Sequence, residues 1–189
     1  MKRIFVALDI SAEAIQKVSD YIEELKTEFT TVRVGWEKPE KLHLTLKFLG
    51  DTNENQLKTI SEIVGEIAGQ IPPFSLRIAE TGVFPRNVRK GRILWIDVKD
   101  ETGSLARMNE MLETECAKVG FAKENRNYKP HLTIARLREP EKSLRLIERH
   151  LQKEFEPVGF EVGEILIYES RLQPAGSIYE KATSSKLKT

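Results

Sequence analysis

One tetrad, His-Leu-Thr-aliphatic, occurs twice in this chain. His43-Leu44-Thr45-Leu46 returns as His131-Leu132-Thr133-Ile134, the second copy beginning 88 residues after the first, at 131 against 43. The chain has only three histidines, so two of them open the same phrase. Read as β-strand, the tetrad puts its histidine and threonine on one face and its two aliphatic residues on the other, because side chains alternate along a strand. The aliphatic face can be buried while the other presents an imidazole and a hydroxyl about 6–7 Å apart. Helix and strand patterns surround each copy. The repeat therefore predicts two structurally similar halves, each contributing one copy.

The apolar period switches repeatedly along the chain, as expected for a mixed protein. Ile4 to Leu8 reads as a buried strand. Ser11 is placed as an N-cap, followed by helical spacing through Ala14, Ile15, Val18, Ile22 and Leu25 to about Phe29. Val32–Trp36 and Leu42–Leu49 read as strands, and Leu57 to Ile67 as a second helix. Phe74-Leu76-Ile78 alternates, Thr81 to Pro85 reads as a turn, and Arg92–Val98 as a strand. A third helix spans Leu105 to Ala117, and His131–Leu137 is a strand. A short fourth helix covers Leu144–Leu151, with strands near Phe155–Val162 and Ile165–Tyr168. The tail from Lys181 is polar and expected to fray.

Composition narrows the function classes. At 189 residues the chain can bury one good core or two small lobes. Thirty basic against 29 acidic residues leave a net charge of +1, which excludes a polybasic or acidic tail and gives no global case for nucleic acid. A single cysteine, Cys116, excludes an internal disulfide and a cysteine-rich zinc site. The N-terminal apolar run is too short for a signal peptide, and no run approaches a membrane span. The cytoplasm is the expected location, with no membrane contact.

Two facing strands of this kind make a pocket with two imidazoles and two hydroxyls. Histidine titrates near neutral pH. A pair can hold one neutral base and one protonated acid at once. Threonine hydroxyls can donate to non-bridging phosphoryl oxygens. In-line displacement at phosphorus needs a proton removed on one side and supplied on the other, and no metal is required if the leaving group is a ribose hydroxyl in a strained ring. The plain alternative is a pair of core strands whose histidines are satisfied internally. A zinc site is disfavoured because neither motif carries a carboxylate at ligand spacing. His150, on a polar helix with Glu148 and Arg149 beside it, reads as a surface residue without a role.

The paired motifs resemble the signature of the 2H phosphoesterase superfamily, and within it the RNA 2',3'-cyclic phosphodiesterases, also called 2'-5' RNA ligases. The resemblance covers about residues 3–180. It extends to Arg3–Ala7, Lys41–Gly50, Gly82–Pro85 with Arg92 and Trp95, Tyr128–Arg136, Glu169–Leu172 and Gly176–Tyr179. It implies an α+β, bilobal fold over residues 1–189 as one domain: two pseudo-twofold-related lobes, antiparallel sheets flanked by helices, and an active-site cleft between them.

The resemblance also implies metal-independent hydrolysis of a terminal 2',3'-cyclic phosphate on RNA to a 2'-phosphate, without a cofactor. His43 would be the proton donor and His131 the proton acceptor, an assignment the symmetric motifs do not themselves make. Thr45, Thr133 and Arg136 would hold the phosphate, and Phe48 the terminal nucleoside. Phe48 and Arg136 each lie five residues past a histidine, so strict alternation would put them on the wrong face, and the carry-over requires a bulge, strand end or twist. Arg86, Arg89 and Lys90 form the local basic cluster able to hold a phosphate backbone, or equally a solvated loop. The expected partners are RNA ends with a cyclic phosphate, tRNA fragments among the candidates, and the expected state is a monomer. ATP-independent 2'-5' ligation of cyclic phosphate and 5'-hydroxyl ends, or non-catalytic binding of RNA ends, are the alternatives.

Overall fold

The computed structural model describes residues 1–173 and 176–188. Each tetrad lies at the start of a strand. The first opens β3 (His43–Thr52) and the second opens β6 (His131–Leu137). β3 pairs with β1 (Lys2–Asp9), β1 with β8 (Glu164–Gln173), and β8 with β9 (Gly176–Lys186), giving the order β3-β1-β8-β9. The second sheet has the order β2-β6-β5-β4-β7, built from β2 (Val34–Trp36), β4 (Phe74–Phe84), β5 (Ile93–Lys99) and β7 (Val158–Val162) around β6. All pairings are antiparallel. Apart from β2 at its edge, the second sheet repeats the first, with β6-β5-β4-β7 matching β3-β1-β8-β9. The expected α+β fold of two related halves is what the chain adopts.

Four helices cover the sheets, and two of them cross over. Helix α1 (Ala12–Glu28) leaves β1 of the first sheet but packs beside β7 of the second. Helix α3 (Ser104–Lys118) leaves β5 of the second sheet but packs on β3 of the first. Helices α2 (Glu54–Ala68) and α4 (Leu144–Gln152) cover β8–β9 and β4 respectively. Their starts follow from local chemistry. Ser11 Oγ accepts from Ala14 N at 3.1 Å, as expected from the sequence. Asn53 and Gln56 form a reciprocal capping box before α2. Among the described residues, no helix is long and apolar enough to cross a membrane.

The aliphatic halves of both tetrads anchor the core. Leu44, Leu46, Leu132 and Ile134 are all buried, at roughly 1.5–3 kcal/mol each. This burial fixes register, since slipping either strand by one residue would expose those side chains and bury the histidines.

Several expectations need correction. The stretch around Thr81 is not a turn. β4 runs unbroken to Phe84, absorbing an irregularity between Ile78 and Thr81, and reverses beyond Pro85. Pairing of Thr81–Phe84 with Ile93–Ile96 of β5 holds it as strand. The tail is ordered through Lys188: β9 pairs with β8, Leu187 is buried, and its N–H donates to Gly163 O at 2.9 Å. Thr189 lies outside the described residues. An edge strand needs few apolar residues, so its polar composition misled. His150 is fully buried, not a surface residue. It lies three and four residues beyond Ile147 and Leu146, on the apolar side of α4, and that periodicity outweighs its charged neighbours. Its Nδ1 accepts from Tyr21 Oη at 2.9 Å, so Nε2 carries the proton and faces Gly82 O at 3.1 Å and Trp95 O at 3.2 Å.

Candidate active site

The two histidines are held in the same way. His43 Nδ1 lies 2.6 Å from Lys41 O, and His131 Nδ1 lies 2.7 Å from Lys129 O. A carbonyl can only accept, so each Nδ1 carries a proton and each Nε2 is left for chemistry. His43 Nε2 meets Thr45 Oγ1 at 3.0 Å, which confirms that the two share a face. Each histidine also faces an aspartate across the sheet, His43 opposite Asp9 and His131 opposite Asp97. Asp9 accepts from Tyr168 Oη at 2.6 Å, and Asp97 pairs with Lys99 at 2.9 Å.

Both strands bulge at the fourth tetrad residue. In β3, Thr45 pairs with Ala7 and Lys47 with Val6, so Leu46 is the extra residue. In β6, Thr133 pairs with Trp95 and Ala135 with Leu94, so Ile134 is the extra residue. Two adjacent residues in each strand are then buried, and alternation resumes shifted by one. This turns Phe48, 69% exposed, and Arg136 onto the histidine faces, where unbroken alternation would not put them. A bulge frees a carbonyl from the ladder, and both are satisfied. Asn109 Nδ2 of α3 donates to Leu46 O, and Glu37 N donates to Ile134 O, each at 2.9 Å. The Glu37 carboxylate reaches Arg136 Nε at 3.6 Å.

β3 and β6 approach each other across the cleft. Tyr128, just before the second motif, donates its hydroxyl to Thr45 O at 3.1 Å. Lys47, nearly buried, donates to Glu113 at 2.7 Å and to Ala122 O at 3.0 Å, tying the first histidine strand to the segment that leads into the second. Aromatic rings wall each imidazole. Phe5, Tyr179 and Tyr168 lie 4.8, 5.2 and 6.3 Å from His43, and Phe84 and Trp95 lie 5.0 and 6.1 Å from His131, centroid to centroid.

Burial pushes both imidazoles below their ordinary pKa, opposed first by the hydrogen bonds to Lys41 O and Lys129 O. Asp9 pulls His43 upward and Asp97 pulls His131 upward, while the Arg136 guanidinium presses both down. Burial likewise raises Glu37 against the pull of Arg136 and Lys41.

The basic cluster follows the Phe84 wall in sequence. Arg86, Arg89 and Lys90 are exposed on the connection between β4 and β5, the last two in a 3-10 turn (Val88–Lys90) leaning on α4. None of the hydrogen bonds or ion pairs among the described residues links them to either histidine. Sequence reasoning overlooked Asp9, Asp97, Glu37 and the aromatic walls. The aspartates had a signal, because Leu8-Asp9-Ile10 and Ile96-Asp97-Val98 stand at the same offset as the tetrads, as do Lys41 and Lys129.

Comparison with other proteins gives the family and the fold. A family model described as the 2'-5' RNA ligase superfamily matches residues 12–173. A Methanothermobacter thermautotrophicus protein named RNA 2',3'-cyclic phosphodiesterase is 35% identical over 178 residues, covering 94% of each chain. A Thermotoga maritima protein of the same name is 34% identical over 180 residues, covering 94% of this chain and 91% of its own. The crystal structure of Escherichia coli LigT complexed with 3'-AMP superposes with a TM-score of 0.79 at 23% identity, covering 100% of this chain and 99% of that one, a likeness of fold.

Proposed function

The chain belongs to the 2'-5' RNA ligase superfamily, and on that premise we propose that it is an RNA 2',3'-cyclic phosphodiesterase acting as one bilobal unit through His43 and His131. The observation that carries this reading is the matched pair of imidazoles, each with Nδ1 held by a carbonyl so that proton transfer falls to Nε2, which in His43 meets the Thr45 hydroxyl. Such a pair suits a reaction with one proton to remove and one to supply.

In this reading the cyclic phosphate of an RNA end lies between β3 and β6. His131 Nε2 accepts a proton from water as its oxygen attacks phosphorus in line. The P–O3' bond breaks, and His43 Nε2 supplies a proton to the departing O3', leaving a 2'-phosphate and a 3'-hydroxyl. Thr45, Thr133 and Arg136 stabilise charge on the non-bridging oxygens. Phe48 offers a face to the terminal base. The bound phosphodiester anion favours the imidazolium form of His43, opposing the effect of burial. Arg86, Arg89 and Lys90 would contact the upstream backbone.

Incubating the protein with a short RNA ending in a 2',3'-cyclic phosphate, in the presence of a chelator, should yield the 2'-phosphate alone. His43→Ala and His131→Ala should abolish ring opening while retaining the native thermal transition. Wild-type turnover by either variant, or a 3'-phosphate product, refutes the reading.

A further inference from the structure

The row of functional side chains on β6 does not end at Arg136. Arg138 stands one residue past the strand and is still paired. Its N–H donates to Arg33 O at 3.1 Å, which carries the register of Gly35 with Arg136 and Val34 with Leu137 one step further. Arg33 and Arg138 are therefore cross-strand neighbours, and both are exposed. The Arg138 guanidinium lies across Gly35, its Nη2 and Nε 3.6 and 3.7 Å from where a β-carbon there would stand. Directly paired residues share a face, so this guanidinium lies on the face of Arg136, which also bears His131 and Thr133. Like charges set opposite each other on a sheet repel. Among the described residues, Arg136 has Glu37 and Lys142 has Glu139 within ion-pair distance, while neither Arg33 nor Arg138 has a carboxylate there. Glu139 feels Arg33 only as a lesser influence behind Lys142.

Resting on the RNA phosphodiesterase reading, we infer that Arg33 and Arg138 form a second phosphate subsite, which takes an internal phosphodiester of the RNA strand whose cyclic end lies at Arg136. One phosphodiester placed between the two guanidiniums gives each a non-bridging oxygen to bond and removes their repulsion. Arg138 lies two residues beyond Arg136, about 6–7 Å along the strand direction. That step is of the order of the spacing between successive phosphates in a nucleic-acid chain. Gly35 puts no side chain between the two cations, so the RNA backbone can approach the sheet there. The turn Val88–Lys90 packs against Pro140–Lys142, just after Arg138, and Arg89 and Lys90 extend the positive row outward from the same end of the sheet. A nucleoside cyclic phosphate has no second phosphate to offer this subsite, whereas a polynucleotide has. The pair thereby makes the site prefer an RNA chain over a cyclic mononucleotide.

The test sets a nucleoside 2',3'-cyclic phosphate beside a six-nucleotide RNA with the same terminal group. Wild type, Arg33→Gln and Arg138→Gln are compared on both. Arg107→Gln, which removes an exposed charge from α3, controls for net charge alone. On the RNA, kcat/KM should fall about fivefold in each subsite variant. Its logarithmic dependence on salt should become shallower by about 0.7, the value for one phosphate contact on a single strand. On the cyclic mononucleotide both variants should match wild type, and Arg107→Gln should match it on both substrates. Urea unfolding should show each subsite variant at least as stable as wild type, because a repulsion has been removed. Equal losses on the two substrates, unchanged turnover of the RNA, or lost stability overturns the inference, while opening of the mononucleotide by wild type leaves the parent reading intact. If wild type opens neither substrate, the parent reading falls and takes the inference with it.

Discussion

Acidification should weaken the fold through His150, by an amount that can be separated from every other titrating group. His150 bridges α4 to α1 and to the Gly82–Trp95 strand pair, and burial pushes its pKa down from 6.5 to about 4. The unfolded chain keeps the ordinary value, so between those two pH values the unfolded state binds the proton more tightly. Stability from this group is complete above 6.5 and is lost as pH falls toward 4. The full gap corresponds to about 3 kcal/mol, of which about 2 kcal/mol is lost by pH 5. His150→Gln can still donate to a carbonyl but cannot take up a proton. At pH 7 it should be less stable than wild type by about 1–3 kcal/mol. Urea unfolding of both proteins at pH 7 and pH 5 gives two stability differences. Carboxylates, His43 and His131 are common to both proteins and cancel. The wild-type advantage should shrink by about 2 kcal/mol at pH 5. A constant advantage would show that His150 does not titrate differently in the folded and unfolded states, and the reasoning would fail.

Three further outcomes follow from the site. In Gly82→Ala the new methyl would stand 2.1 Å from Trp95 Cζ2, so the indole must leave its place beside His131; turnover should fall at least tenfold and stability by about 2 kcal/mol, measured by kinetics and urea unfolding. Lys47→Met strips the cation from a buried pair with Glu113 and should cost about 3 kcal/mol, part of it recovered in Lys47→Met/Glu113→Gln, whereas a neutral single variant would show that the pair contributes nothing. Both imidazoles lie below 6.5 in the free protein and the acid must carry its proton, so kcat/KM should peak on the acid side of 6.5 and decline above it; a peak above pH 7 would contradict the assigned burial effect.

The sequence made the site's skeleton legible because two kinds of signal coincided. Period-two patterning set the faces of His43, Thr45, His131 and Thr133, and the 88-residue offset paired them. The same offset carries further than the tetrads, to Asp9 with Asp97 and Lys41 with Lys129, and following it would have found both cross-strand carboxylates. The bulges were only inferable as a requirement. What stabilises them is a side chain from another element, Asn109, and a backbone N–H, that of Glu37, and neither is written near the motif. His150 was misjudged because its immediate neighbours were weighed above its helical ones.

The exchanged helices limit how this molecule can move. Because α1 starts from one sheet and packs on the other, and α3 does the reverse, each sheet takes part of its hydrophobic cover from the other half of the chain. Prying the sheets apart would strain both crossing connections at once. A hinge between the lobes is thereby disfavoured, and on the proposed reading any adaptation to different RNA ends would fall to side chains such as Phe48 and Arg136. The gap between the imidazoles is in effect a fixed gauge, set by covalent connections that cross it in both directions.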